Sequence, residues 1–339
     1  MRMNMQGNDL ARVLCLAVLF PVLLILLTML YGMERPLEQL DTHPPQTTPS
    51  ADVTVDQDAW RVTVLYNGSI QQMELEEYII GVVLAEMPAS FHMEALKSQA
   101  IAARTYALKH ASQPKPHGVN MICADSGCCQ AYIDPMEYIS NGGTGKAVEK
   151  VRDAVLATAA MVLVYEDQLI DATFFSCSGG TTEDAVQVWG QDIPYLQSVP
   201  SPGEEYAPVY EDSKVFTPEE FQKALGAIIS GPMESWFSTV TYTESGSVAS
   251  MRIGGVNYRG TTLRQILGLR STVFTVSISE GKIIIHTRGF GHRVGMSQYG
   301  ANAMAMAGSN CSEILSHYYT GATIVQFNAE KYNSLQIIS

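Results

Sequence analysis

The stretch GVVLAEMPASFHMEALKSQAIAARTYAL, residues 81–108, decides how the folded part of this chain is built. Apolar residues recur at helical spacing before it, and Pro88 disfavours helical backbone at the preceding residue, so a helix is predicted over residues 74–86. A second helix is predicted from about Phe91–His110, with a stripe of mostly small residues that allows close packing. Glu86 then lies on the apolar stripe of the first helix, at its C-terminal end.

Glu86 has the setting of a carboxyl group that stays protonated near neutral pH. Free carbonyls at a helix C-terminus disfavour negative charge, and partial burial acts in the same direction, so both raise its pKa. A protonated carboxyl is what a general acid for a glycosidic oxygen requires. The alternative is a surface glutamate at a frayed helix end, and the residue pattern alone does not decide between the two.

The second helix offers polar side chains to the same site. Gln99 and Tyr106 lie seven positions apart and share one face, while Arg104 lies among small, packed residues. We predict that Arg104, Gln99 and Tyr106 line a substrate groove opposite Glu86. The alternative is a solvated helix surface.

Two glycine-containing loops are further candidates. GFGHRVGMSQYG, residues 289–300, follows a predicted strand, but its glycine spacing does not match a dinucleotide-binding loop. The glycines instead permit a tight turn and close backbone approach to a sugar. FSCSGGTTED, residues 175–184, is a third polar segment. The substrate-binding candidates from these loops are Ser176, His292, Gln298 and Tyr299.

A cysteine-rich insertion at residues 117–145 carries a candidate metal site. His117, Cys123, Cys128 and Cys129 place four soft ligands within thirteen residues, and zinc accepts such a Cys3His set tetrahedrally. Four protein ligands leave no open position, so the zinc would be structural. The alternatives are a disulfide within the cluster, or one that joins the cluster to Cys177. No organic cofactor is expected.

The beginning of the chain indicates a membrane anchor. Residues 13–31 contain no charge and are long enough to cross a bilayer, with arginines before them and acidic residues after them. We therefore predict a cytoplasmic tail (1–12), a transmembrane helix (13–31), a Pro- and Thr-containing linker (32–59) and an extracytoplasmic domain (60–339). A cleaved signal peptide is the alternative.

Composition and patterning restrict the fold and the partners. The 339 residues have 46% hydrophobic content and a formal net charge of −13, which argues against a nucleic-acid partner. Helical segments alternate irregularly with strands such as the hairpin around Asn67-Gly68, and strands near the end of the chain pair antiparallel. Residues 217–229 open with a Thr-x-x-Glu capping box and are predicted to form another helix. We predict an α+β domain of mixed helices and antiparallel strands that forms a groove.

The segment around Glu86, followed by GFGHRVGMSQYGANAMAMAG at residues 289–308, resembles the family of stage II sporulation protein D and the amidase enhancers of bacterial cell walls. The resemblance covers roughly residues 60–339. It implies a lytic transglycosylase that cuts peptidoglycan glycan strands during engulfment of the forespore, with Glu86 as its catalytic acid. It also implies partners, stage II sporulation proteins P (an amidase) and M (a membrane protein), and a place in the engulfing membrane of the mother cell.

The implied reaction explains why one acid is enough. Ordinary glycosidases pair two carboxylates. In a lytic transglycosylase the C6 hydroxyl of muramic acid attacks its own anomeric carbon, so the nucleophile is tethered to the substrate. Two other hypotheses remain: a non-catalytic glycan-binding module that activates a wall amidase, and a hydrolase with an unrecognised second carboxylate.

Overall fold

The computed structural model describes residues 60–111 and 113–328. Among these residues, no helix combines the length and the apolar character needed to cross a bilayer. The predicted tail, membrane span and linker, residues 1–59, lie outside the described part of the chain.

Helices and strands alternate without a regular rhythm, which confirms the α+β prediction for the described residues. The helices are α1 (Leu75–Glu86), α2 (Met93–Ala111), α3 (Pro135–Ser140), α4 (Gly145–Leu156), α5 (Ala185–Trp189), α6 (Pro218–Leu225), α7 (Gly260–Ile266), α8 (Gln298–Met306) and α9 (Cys311–Tyr318). The strands are β1 (Arg61–Tyr66), β2 (Ser69–Glu74), β3 (Ile122–Cys123), β4 (Met161–Tyr165), β5 (Gln168–Leu169), β6 (Phe174–Phe175), β7 (Glu211–Phe216), β8 (Phe237–Tyr242), β9 (Val248–Ile253), β10 (Val256–Arg259), β11 (Val273–Ser279), β12 (Lys282–Arg288), β13 (Met296–Ser297) and β14 (Thr323–Gln326).

The N-terminal hairpin leads directly into the helix that carries Glu86. β1 and β2 pair antiparallel from Arg61↔Glu74 to Tyr66↔Ser69. Asn67 and Gly68 both take positive φ, 49° and 75°, as a two-residue hairpin turn requires. The predicted hairpin is confirmed.

The larger of two hydrophobic cores surrounds α1 and α2. Both helices pack against α4, and α2 also packs against α8, α9 and β4. The small residues of α2, including Ala100, Ala103 and Ala107, are fully buried, which allows this close approach. The sheet β14–β4–β5 closes this core.

A second core is formed by the elements that run from β7 to β12 in the sequence. Two antiparallel sheets, β10–β9–β8 and β11–β12–β7, pack with α6 and α7 around residues such as Phe221 and Trp236. The predicted capping box of α6 is present, with Thr217 and Glu220 capping each other. The helix ends at Leu225 rather than near residue 229, because Gly226 takes a left-handed conformation there.

Two short parallel pairings were not predicted, and they position the site. β3, inside the cysteine-rich insertion, pairs parallel with β1. β6 pairs parallel with β13, and next to them the backbones of Cys177 and Phe290 form an isolated antiparallel β-bridge. The loop at residues 175–184 and the loop at 289–300 are therefore held side by side.

Candidate active site

A cavity of about 510 Å³ opens beside Glu86. It is formed by the end of α1, the face of α2, the cysteine-rich insertion, β6 and the loop before β13. The side chains that line it and enter the argument below are Glu86, Tyr106, Cys128, Cys129, Phe175, Ser176, Trp189, Arg264, Phe290 and His292. Glu86 is the one carboxylate among the described residues that line this cavity.

Glu86 is the last residue of α1, as predicted. Met87 leaves the helical region with φ −131° and ψ 136°, which fits the constraint that Pro88 places on it. The Glu86 side chain is half-buried, and its Oε1 accepts a hydrogen bond from the backbone N–H of Ala131 at 2.7 Å. Burial raises the pKa of Glu86, while the Ala131 bond and the amide of Gln298 oppose that rise. Because burial is the largest effect, the net pKa is above its ordinary value.

Gln298 begins α8, and its side chain lies near the Glu86 carboxyl group. Its side chain is 4% exposed, and its Nε2 has no hydrogen-bond partner of good geometry among the described residues. The amide nevertheless lies close enough to favour the ionised form of Glu86 and to lower its pKa. It is therefore positioned to complete a hydrogen bond to the carboxylate once Glu86 has lost its proton.

His292 lies in an aromatic wall of the cavity. Its ring is 5.5 Å from Phe175 and 5.4 Å from Trp189, measured between centroids, and its Nδ1 accepts a hydrogen bond from Val294 N–H at 3.2 Å. Burial, together with the charge of Arg264, lowers the pKa of His292 to about 4. The imidazole is therefore neutral at pH 7 and forms part of a hydrogen-bonding and stacking surface.

Tyr106 also lines the cavity, as predicted. Its ring packs against His110 at a tilt of 35°, with the ring centroids 4.2 Å apart, and His110 in turn contacts the carboxylate of Asp171 at 2.9 Å. Burial is the main cause that raises the pKa of Tyr106. The phenol therefore stays protonated and can donate a hydrogen bond to a sugar.

Ser176 and Tyr299 have different places in the site. Ser176 lines the cavity, and its carbonyl accepts the backbone N–H of Tyr299 at 3.0 Å. The ring of Tyr299 packs edge-on against Phe91 at 4.9 Å and is not among the lining residues. The structure therefore brings Glu86, Tyr106, Ser176, His292 and Gln298 together, with Tyr299 supporting them through its backbone.

The prediction that Arg104 lines the groove is wrong. Its guanidinium is fully buried, pairs with Glu76 at 2.5 Å, and donates to the carbonyls of Met161 and Val155. An arginine with all these partners ties α1 and α2 to α4 and β4. Gln99 is also fully buried and does not line the cavity; its two amide atoms lack hydrogen-bond partners among the described residues.

The four predicted metal ligands do converge. The ligand atoms of His117, Cys123, Cys128 and Cys129 lie within 4.8 Å of one another, and His117 Nε2 is 3.3 Å from Cys129 Sγ. All described cysteines are free thiols. Three sulfur donors and one imidazole nitrogen at these separations fit a tetrahedral zinc ion, so the residues present suit the metal.

The cluster adjoins the acid. Cys128 and Cys129 line the Glu86 cavity, and both of their N–H groups donate to the carbonyl of Asp125. Ala131, which donates to Glu86, lies only two residues after Cys129. The cysteine-rich loop therefore sets the position of a hydrogen bond that Glu86 receives.

Sequence reasoning missed Trp189, Arg264 and Glu204. Trp189 ends α5 and is 43% exposed at the cavity, and Arg264 reaches the cavity from α7. Glu204 is 1% exposed below the loops and accepts hydrogen bonds from Ser178 and from Ser297, the N-cap of α8. Trp189, next to Gly190, could have been recognised from the sequence as an aromatic surface for stacking a sugar ring. Arg264 and Glu204 do not belong to any recognisable motif.

Comparisons with known proteins identify the family of the chain. A family model described as "Stage II sporulation protein" matches residues 66–165. The chain is similar to stage II sporulation protein D of Bacillus subtilis (41% identity over 270 residues, 78% of each chain) and of Bacillus amyloliquefaciens (38% over 291 residues, 83% of each). It is also similar to the amidase enhancer of Bacillus subtilis, at 29% identity over 311 residues, covering 73% of this chain and 40% of that protein.

The class defined by these matches is that of sporulation proteins related to the cell wall. The chain belongs to the stage II sporulation protein D family.

Proposed function

We propose that the chain is a peptidoglycan lytic transglycosylase of sporulation, with Glu86 as its single general acid and base. The observation that carries the proposal is the half-buried Glu86 carboxyl, with its raised pKa, as the one carboxylate among the described residues of its cavity. A two-carboxylate glycosidase would need a second acid at about 5–10 Å. The cavity wall of His292 and Trp189 suits the faces and hydroxyls of sugar rings.

The proposed reaction balances with one carboxyl group. Protonated Glu86 donates its proton to the glycosidic oxygen as the bond from that oxygen to the anomeric carbon of muramic acid breaks. The C6 hydroxyl of the same sugar forms the new bond to the anomeric carbon and closes an anhydro ring. Its proton passes to the Glu86 carboxylate, so the acid is restored without water. The N–H of Ala131 and the amide of Gln298 would stabilise the carboxylate between the two transfers.

The proposal includes a structural zinc ion and a membrane position. His117, Cys123, Cys128 and Cys129 would hold the zinc, which supplies no open coordination position and serves to fix the loop before Ala131. Residues 13–31 would anchor the domain outside the membrane, where glycan strands are found. Stage II sporulation proteins P and M remain proposed partners.

A second candidate function is activation of a cell-wall amidase by glycan binding alone. The similarity to the amidase enhancer favours it. The two candidates differ in whether Glu86 is needed for bond cleavage.

The test is Glu86→Gln in the full chain, incubated with glycan strands, with products resolved by mass spectrometry. The amide keeps the acceptor for Ala131 but cannot donate a carboxyl proton, so anhydro-muramic ends should fall by about 10²–10⁴-fold. Glu77→Gln is the matched control, because Glu77 lies on the same helix, pairs with Arg152 and does not line the cavity. Unchanged cleavage by Glu86→Gln would remove the catalytic assignment, and cleavage without anhydro ends would support a hydrolase.

A further inference from the structure

Arg293 and Glu183 form a buried ion pair that the proposed reaction does not use. Each residue is 1% exposed, and Arg293 Nη1 lies 3.5 Å from Glu183 Oε2. Neither of them lines the Glu86 cavity. Burial lowers the pKa of Arg293 to about 10, with the Glu183 carboxylate opposing that change, so the guanidinium is charged at pH 7. Because taking two charges out of water can cost as much as their attraction returns, stability alone does not account for the pair.

The two charged residues belong to the two segments that carry the aromatic wall of the cavity. Arg293 directly follows His292 in the loop before β13, and Glu183 lies two residues before α5, the helix that ends at Trp189. The rings of His292 and Trp189 meet with their centroids 5.4 Å apart. A second contact joins the same segments, because the Glu183 N–H donates to the Arg293 carbonyl at 2.6 Å. The pair therefore connects the two backbones that hold the rings.

The helix α5 depends on such connections for its position. It has five residues, and its N-cap residue, Asp184, makes no side-chain cap hydrogen bond. Ala185 is the one buried residue of this helix. A helix of this length is unstable in isolation, so contacts with the rest of the chain must hold it. The position of Trp189 therefore depends on how the segment before α5 is anchored, which is where Glu183 lies.

The side chain of Arg293 also fixes the backbone next to His292. Arg293 has a left-handed conformation with φ 71°, and such strain persists only where the surrounding structure enforces it. Its guanidinium donates to the carbonyls of Ser178 and Thr181, at 2.8 and 2.6 Å, in the loop that leads to α5. It also donates to the Ser245 carbonyl at 3.0 Å, in the turn between β8 and β9. The loop of His292 is thereby tied both to the segment of Trp189 and to the second core.

We propose that Arg293 and Glu183 are positioning residues, whose ion pair holds Trp189 against His292 and so builds the surface on which a sugar ring stacks. This inference rests on the proposed function in taking a glycan strand as the ligand of the cavity. Neither residue touches the reacting atoms, and both act through the two rings.

The first test observes the Trp189 ring in the full chain without substrate. Its near-ultraviolet circular dichroism is the difference between a chain and the Trp189→Phe counterpart of that chain, so the signals of the other tryptophans cancel. Glu183→Gln keeps the shape of the side chain but removes its charge, and it should lose most of the Trp189 band. His292→Ala is the reference for a separated wall, because it removes the ring next to Trp189.

The second test measures what the wall does for the ligand. Short glycan strands are titrated into the full chain in a Glu86→Gln background, so that no cleavage is needed, and binding is measured by calorimetry. Glu183→Gln should raise the Kd about tenfold, because the strand must then order the stacking surface itself. In the active chain the same substitution should raise KM about tenfold and leave kcat within about twofold, since stacking holds the substrate and the transition state alike.

Phe221→Leu is the control that separates positioning from loss of stability. Phe221 is fully buried in the second core and does not line the cavity. Its truncation should lower the free energy of unfolding, measured with urea, but should keep the Trp189 band and the affinity. If Glu183→Gln does not fold, Arg293→Lys is measured in the same way, because lysine keeps the positive charge and loses the guanidinium fork.

A full Trp189 band or an unchanged affinity in Glu183→Gln would overturn the inference. An equal loss of the band in Phe221→Leu would overturn it too, because the change would then follow stability alone. Failure of the proposed function is distinguishable, since the band needs no substrate and anhydro ends are measured with the active chain. If the unsubstituted chain binds no glycan, the proposed function fails, and the band alone decides whether the ion pair positions Trp189.

Discussion

Glu86 and Glu204 are two carboxyl groups held away from bulk water, and they differ in how many donors surround them. Glu204 accepts four donors at Oε2, from the N–H and hydroxyl of Ser178, Gly179 N–H and the Cys177 thiol. Two hydroxyls, of Ser201 and Ser297, donate to its Oε1.

Glu86 accepts one backbone N–H, from Ala131, with the amide of Gln298 close by. The difference separates two uses of a buried acid. A carboxylate surrounded by hydrogen-bond donors fixes loops in place. A buried carboxyl group with few donors has a raised pKa, so it stays protonated to a higher pH and is available as a proton donor.

The largest expected effect is on the free energy of unfolding, which should respond differently to substitution of Glu204 and of Glu86. Glu204→Ala should lower the free energy of unfolding by about 3–5 kcal/mol, because it leaves several buried donors unsatisfied. Glu86→Gln should change it by less than about 1 kcal/mol, because the amide has nearly the shape of the carboxyl group and keeps the acceptor for Ala131. Urea denaturation followed by circular dichroism measures both. Equal losses would mean that Glu86 is a structural residue as well.

A smaller effect is expected from removing the proposed metal. Chelation should release one zinc per chain, detected by mass spectrometry, and lower the melting temperature by roughly 5–10 °C. It should also slow glycan cleavage, because the loop that carries Ala131 loses its anchor and Glu86 loses its donor.

Cys128→Ser should reproduce the metal loss. Cys311→Ser is the matched control, since Cys311 lies in α9 away from the cluster, and it should retain zinc. Mapped disulfides among the cluster cysteines in a zinc-free chain would refute the metal assignment.

The smallest effect is the pH dependence of Glu86 itself. A raised pKa in the folded chain means that the stability contribution of Glu86 is fully present below its unfolded pKa of about 4.3 and is lost as pH rises through the folded pKa. The stability of the unsubstituted chain relative to Glu86→Gln should therefore fall over that window by about 1.4 kcal/mol per pKa unit. Cleavage should decline on the same alkaline limb, since the acid must be protonated.

A flat stability difference across pH would show that Glu86 titrates normally. Glu77→Gln provides the reference, because Glu77 is an exposed residue of the same helix.

Local signals predicted the parts of the fold and site that depend on nearby residues. The hairpin turn, the helix end at Glu86 and the Thr217 capping box each need only a few neighbouring residues. The metal candidates were equally local, with four ligands in thirteen residues. Residue spacing was sufficient to predict these features because sequence neighbours are also neighbours in space.

Features set by distant contacts were not predictable in this way. Arg104 looked available for substrate, but its partners Glu76 and Met161 are 28 and 57 positions away. Arg264 enters the cavity through the packing of α7, which no local pattern indicates. The transmembrane, domain-boundary and zinc assignments stay predictions.

The donors around Glu204 have a consequence for the order in which the chain folds. Ser297 lies 93 positions from Glu204, and Ser201 bonds to Tyr318 across 117 positions. Contacts of such long sequence separation form late, because closing large loops costs entropy before any contact compensates for it. Gln298 follows Ser297 directly, so the surroundings of Glu86 are completed only when α8 has been synthesised. A growing or truncated chain without α8 would therefore lack the contact between Gln298 and Glu86.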